Sequence, residues 1–392
     1  MKVLRSIFLV SIFVAFVAGI TYVGMHRLDN WGFFGDSEVE HQIPEQVYEE
    51  LEDEDSMFPF IVPMDGREVE GAELSFRFKG EDFTLQAELD HRVYHGAVSA
   101  PRGFMIEEDA SLAMRHEAIA NYYSKLTFDP EMDSAIESVL LQLRSIRDEN
   151  ELDSDQYVEL ITRFVQAIPY DENRGFVDAD AKAMGDPRMP IQVLVDGRAD
   201  CDEKVMLLAA LLAREGFGVS AFYFEPEQHM ALGVRSEGEG FHSTGYEFVE
   251  TTGIGYVSEV PATFVNDIVL ESEPVVLKLD PREATGEPVG SGYFSAKATA
   301  QIARIVAVRD AAKELEEKAR EAVDEARVEF NKLESPTQAE IDAFNSEIER
   351  HNACIYAMNH FRATVDNLGR DTGDFVDRVE AIAWIDENAW WE

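Results

Sequence analysis

The sequence predicts an α+β protein in which a buried helix packs on an antiparallel sheet, with an N-terminal transmembrane helix before that core and a C-terminal helical hairpin after it. Three patterns carry this reading. Cys201-Asp202-Glu203 opens a helix that is apolar on every side through MLLAALLA, and three strand-like runs, GVSAFYF, MALGVR and GYEFVE, follow it. Ser6 to Met25 is free of charge over about the 20 residues that cross a hydrocarbon core. Ile305, Val308, Ala312, Leu315, Ala319, Ala322 and Ala326 alternate spacings of three and four, the seam of a coiled coil. At 392 residues and 45% hydrophobic, the chain can bury a sizeable core and hold more than one compact unit.

Charge excludes several partners. Asp and Glu number 77 against 34 Lys and Arg, a formal charge of -43, which repels nucleic acid and acidic membrane surfaces. Acid is spread along most of the chain and Arg outnumbers Lys, as on a salt-adapted, solvated surface. Cys201 and Cys354 are too few for a disulfide framework and lie in no metal-binding spacing. His91 and His95 fall in an expected strand-to-turn region where a spacing of four does not converge on a metal. His116-Glu117 lacks a second His, and Glu52-Asp53-Glu54-Asp55 lacks the spacing and glycine of a calcium loop. No metal and no cofactor is expected.

Residues 1-27 are read as an anchor or signal. Lys2 and Arg5 precede the apolar run while Asp29 and Asp36 follow it, which puts the N-terminus inside and the bulk of the chain outside the cytoplasm. The alternative is secretion after cleavage, for which Val17-Ala18-Gly19 is the best, though poor, site. Residues 28-56 are an acidic linker. Residues 57-105 form a small β-rich region, where LSFRF and FTLQAEL flank Lys79-Gly80-Glu81-Asp82 as a hairpin. Residues 106-290 hold the main domain with its leading helices, patterned by Leu140, Leu141, Leu143 and Ile146 and then by Tyr157, Leu160, Ile161, Phe164 and Val165. Residues 291-370 are the helical hairpin, turning at Ser335-Pro336, its second helix opened by a capping box at Thr337 and Glu340. Residues 371-392 form a tail with Trp384, Trp390 and Trp391.

Asp200 caps the Cys201 helix, which places the thiol at the positive end of a helix dipole, while Asp200, Asp202 and Glu203 oppose its ionisation. A neighbouring cation is therefore required. If MALGVR and GYEFVE pair about Glu239-Gly240, His229 lies opposite Glu250 and Arg235 opposite Thr244, bringing an imidazole beside a carboxylate with the Cys helix across the sheet. Glu247 is a rival acid, but it is an odd step from Glu250, so the two face opposite sides of the strand and only one can meet His229.

MPIQVLVDGRADCDEKVMLLAALLAREGF, then QHMALGV, then YEFVETTG resemble, in order, the Cys helix, His strand and acid strand of the transglutaminase-like branch of papain-like cysteine enzymes. The resemblance covers about Asp155 to Val260, and FVQAIPYDEN is similar to the segment that precedes the Cys in that family. It implies a papain-like core with Cys201 as nucleophile, His229 as general base and acid, and Glu250, at the family's acid position, as the orienting carboxylate. The chain departs from the family at Ala199, where Gly is common, and at Glu250, where Asp is usual. The implied activity is acyl transfer from an amide of a protein or peptide substrate to water or to an amine, with hydrolysis somewhat favoured. The rival class is a non-catalytic scaffold of the same fold that binds a protein partner through the helical hairpin.

Overall fold

The computed structural model describes residues 61–102, 110–172, 186–264, 267–280, 292–333, 335–364 and 378–388. The expected membrane segment, the acidic linker, Trp390 and Trp391 lie outside them. Among the described residues no helix is long and apolar enough to cross a membrane.

The chain enters through a hairpin, β1 (Leu74–Phe78) and β2 (Glu81–Leu85), in which Leu74 faces Leu85 and Phe76 faces Phe83. Lys79 (φ 50°) and Gly80 (φ 76°) form the two-residue turn, and positive φ at both positions is the geometry whose twist matches a hairpin. Helix α1 (His91–Ser99) follows, capped by the Asp90 side chain. This corrects the strand-to-turn placement of His91 and His95. The two histidines share a helix face, yet His95 Nε2 donates to the Arg67 carbonyl at 2.8 Å, and no described group of His, Cys, Asp and Glu side chains could hold a metal.

Helices α2 (Leu112–Thr127), α3 (Asp133–Glu149) and α4 (Ser154–Gln166) then build a shell, followed by the short α5 (Pro190–Asp196). Leu140, Leu143 and Ile146 of α3 are buried as their spacing predicts, whereas Leu141 points to solvent at 59% exposure. Inside this shell runs α6 (Cys201–Arg214), every residue from Cys201 to Ala213 buried. A helix that is apolar all round has no face to give to water, and α6 meets that condition by packing against α2, α3, α4, α5 and the sheet.

The sheet is antiparallel, four-stranded, in the order β5-β4-β3-β6. The three predicted runs are β3 (Val219–Phe224), β4 (His229–Arg235) and β5 (Tyr246–Val249), and β6 (Val275–Lys278) pairs with the far side of β3. Met230, Leu232 and Val234 join the core that contains α6; Phe222, Phe224, Ala231, Phe248 and Phe264 form a second cluster. The alternation of the strand thus feeds two apolar layers. The α+β class and the antiparallel sheet follow directly.

The register of β4 on β5 differs from expectation. Arg235 faces Tyr246 and Leu232 faces Val249, two residues away from the pairing of Arg235 with Thr244. The connection is not a tight turn: it contains a single helical turn at Phe241–Ser243, with Gly240, His242, Ser243 and Gly245 all at positive φ. The displacement is even, so every side chain stays on its expected face.

Helix α7 (Ala296–Phe330) begins in the core, where Ala298, Ile302, Ile305 and Val308 are buried, and continues outward. It pairs with α8 (Gln338–Thr364) to form the expected hairpin. The outer seam passes through Ala312, Ala319 and Val323, leaving Ala322 and Ala326 only half-buried. Helix α9 (Arg378–Asn388) lies against α7; its Ala381 and Ile385 join the core and Arg378 pairs with Glu159 of α4 at 2.8 Å.

Candidate active site

Three elements converge at the start of β4. Helix α6 begins at Cys201 because Asp200 accepts the Glu203 N–H at 3.3 Å while Glu203 accepts the Asp200 N–H at 3.1 Å, a reciprocal cap. Just upstream, Ala199 bridges Tyr170 in parallel fashion, with its N–H on the Pro169 carbonyl and its carbonyl on the Asp171 N–H. Ala199 is not among the positive-φ residues, so this turn makes no demand for glycine. Arg188 fastens the same end, meeting Asp171 (2.8 Å), Asp196 (2.7 Å) and Glu203 (3.0 Å). A guanidinium matches several carboxylates at once because its donors form a fixed fork.

His229 and Glu250 are brought together: His229 Nε2 lies 3.0 Å from Glu250 Oε2, with both side chains buried. The second carboxylate oxygen of Glu250 takes the Thr252 N–H at 2.6 Å and the Thr252 hydroxyl. Burial alone would raise this carboxyl, but the bonds from His229 and Thr252 hold it below its ordinary value. The His229 ring is covered by Phe264, centroid to centroid 4.8 Å. Glu247, the rival acid, is buried on the other face, where it accepts the Ser236 hydroxyl at 2.5 Å. The two-residue register displacement makes Glu250 a diagonal neighbour of His229, within reach across a ladder.

Cys201 is 5% exposed, and the backbone N–H of Met230, the residue after His229, works to lower its thiol pKa. Among the described residues no hydrogen bond joins Cys201 to His229; the ring's bond to Glu250 is made by Nε2. Burial pushes the Cys201 thiol well above its ordinary value, and the carboxyls of Asp202 and Asp200 push it further. Asp200 itself is pushed up to about 11, first by burial and then by the neighbouring carboxylate of Asp202. Asp202 also accepts the buried Tyr123 hydroxyl at 2.6 Å.

Two further residues complete the surroundings and escape sequence reading. Gln166, the last residue of α4, donates to the carbonyls of Glu250 (2.9 Å) and Gly255 (3.1 Å). Lys204, fully buried, donates to the carbonyls of Gln166 and Thr251, each at 3.2 Å. Lys204 could have been found by asking how a cation in the first turn of a helix that is apolar on every side from Val205 to Ala213 reaches water; it does not.

No family model, no curated protein and no solved structure matches this chain.

Proposed function

We propose that the protein is a transglutaminase-like cysteine enzyme that transfers the acyl group of an amide in a protein or peptide to water or to an amine. The observation that carries the proposal is the buried His229–Glu250 bond at 3.0 Å beside a helix that opens on Cys201. A carboxylate on Nε2 fixes the ring's orientation and tautomer and leaves Nδ1 for the thiol. The His takes the thiol proton, the sulfur attacks the carbonyl carbon, and the imidazolium returns the proton to the leaving amine as the thioester forms. Water or a second amine, deprotonated by the same ring, then releases the acyl group. Cys201 and His229 are the catalytic residues in this mechanism, and Glu250 is a positioning residue. The Cys201 N–H, at the start of the helix, is the natural donor to the developing oxyanion. The N-terminal apolar segment would anchor the domain outside the cytoplasm.

One observation favours the scaffold reading: the nucleophile is 5% exposed and its thiol is held toward the neutral form. In that reading the α7–α8 hairpin carries the function by binding a protein partner. Incubation of the full chain with a peptide library, followed by mass spectrometry, separates the two. Cleaved peptides, glutamine-to-glutamate mass gains or cross-linked pairs that vanish in Cys201→Ala support the enzyme. Unchanged peptides across the library would leave the scaffold.

A further inference from the structure

The enzyme reading needs a positive charge near Cys201, and the described residues within reach of the sulfur are mostly acids. Arg188 is committed to three carboxylates, and His229 already faces Glu250. One cation differs. Lys204 is fully buried at the third position after Cys201, and among the described residues its ammonium contacts only backbone oxygens, the Gln166 and Thr251 carbonyls. Among the described residues no carboxylate cancels its charge by contact.

Its position joins the three parts of the site. The Thr251 carbonyl belongs to the turn that follows Glu250, and Thr252 in that turn is the residue that holds the second Glu250 oxygen. Gln166, whose carbonyl takes the other Lys204 bond, grips the same turn through the Glu250 and Gly255 carbonyls. A single side chain thus links the helix that starts at Cys201 to the turn that carries the His229 partner. We propose that Lys204 is the positioning residue of this site: its buried ammonium fixes the Glu250 turn against the Cys201 helix and supplies the positive charge under which Cys201 ionises. The inference rests on the Cys-His-Glu reading above.

The titratable groups that face the ammonium are Glu250 from the turn after β5, Arg163 from α4 and Cys201 from its own helix. Burial brings Lys204 down to about 8; Glu250 and Cys201 work against that fall and Arg163 adds to it. The ammonium is therefore charged at neutral pH and loses its proton just above it. A charge in so dry a place acts on its neighbours with little screening.

The test is the pH dependence of carbamidomethylation at Cys201, read by mass spectrometry on the full chain so that Cys201 and Cys354 are counted separately. Lys204→Met keeps an unbranched apolar stem and removes the charge. Its profile should move to higher pH by about one unit, which is roughly a tenfold slower reaction at a fixed pH below the inflection. Lys204→Arg should return most of the rate. If the Met variant does not fold, Lys204→Gln, which keeps a donor for the carbonyls and lacks the charge, takes its place with the same expectation. His229→Gln is run in parallel. If the uncharged Lys204 variant overlays the wild type while His229→Gln is displaced, the Lys204 inference is wrong and the Cys-His-Glu reading stands. If His229→Gln overlays the wild type as well, the reading of the site fails first and the inference falls with it.

Discussion

Helices α6 and α8 open with the same local device, a reciprocal cap between the residue before the helix and its third residue. At α6 the pair is Asp200 and Glu203, both buried; at α8 it is Thr337 and Glu340, both exposed, with the Thr337 N–H on Glu340 at 2.7 Å. Burial pushes the carboxyls at the α6 cap up. At α8, hydrogen bonds from Thr337 hold the Glu340 carboxyl below its ordinary value. The same four-residue signal thus begins an interior helix surrounded by ionisable groups in one region and a solvated arm in the other. What separates the two is the sequence after the cap. MLLAALLA leaves α6 no exposed face, while α8 has one half-buried stripe through Ile341, Phe344 and Ile348.

If chemistry belongs to the buried cap, its largest signature is at Cys201. Cys201→Ala should reduce amide turnover by at least about a thousandfold, and thermal unfolding should shift little because a small apolar residue replaces a small thiol. The corresponding change on the arm, Cys354→Ala, should leave turnover alone. Turnover that survived Cys201→Ala would remove the nucleophile.

The comparison also has a purely mechanical form. Leu208 is fully buried in α6, so Leu208→Ala should cost about 2–5 kcal/mol in urea unfolding. Phe344, half-buried on the arm, stacks on Phe330 with centroids 4.6 Å apart, and Phe344→Ala should cost about 1 kcal/mol and loosen only the arm. Equal costs would mean that the arm and the core unfold as one cooperative unit.

Glu250→Gln should lower turnover by roughly 10–100-fold, because a neutral amide no longer favours the imidazolium. Glu247→Gln should be nearly silent, since the amide oxygen can still accept the Ser236 hydroxyl. The reverse ranking would place His229 on the other face of β4.

Much of this arrangement was legible in the sequence because it rests on local rules. Asp200 and Thr337 read as caps, Gly216 as the stop after Arg214, and alternation separated Glu247 from Glu250. Register was less legible, because the strand arithmetic assumes a tight turn and the chain instead winds through four left-handed residues between Ser236 and Tyr246. The pairing of His229 with Glu250 survived only because the error was an even step. Helix α1 was missed since HRVYHGAVS mixes glycine and β-branched residues that weaken a helical pattern, and Asp90 supplies the cap that settles it. Lys204 and Gln166 were not read because their role lies in carbonyls brought to them by the turn after β5, a contact with no sequence spacing.

The smallest predicted effects separate the two caps by sign. Asp200 is held above the ordinary carboxylate value, up to about 11, so the folded chain retains a proton that the unfolded chain gives up near pH 4. By linkage its contribution is fully present below that pH and is lost as pH rises toward the folded value. Asparagine caps a helix as well as aspartate and has no proton to retain. Asp200→Asn should therefore raise the melting temperature by a few degrees at pH 8, about 1 kcal/mol or less, with the gain shrinking toward pH 4. Glu340 titrates with the opposite sign: its lowered carboxyl stabilises α8 above about pH 4 and ceases to as pH falls through the folded value. Thr337→Ala should cost about 1 kcal/mol at neutral pH, with the loss fading in acid. A melting temperature that fell in Asp200→Asn at pH 8 would show that Asp200 serves the Cys201 helix as a charge, and the two caps would then differ in degree alone.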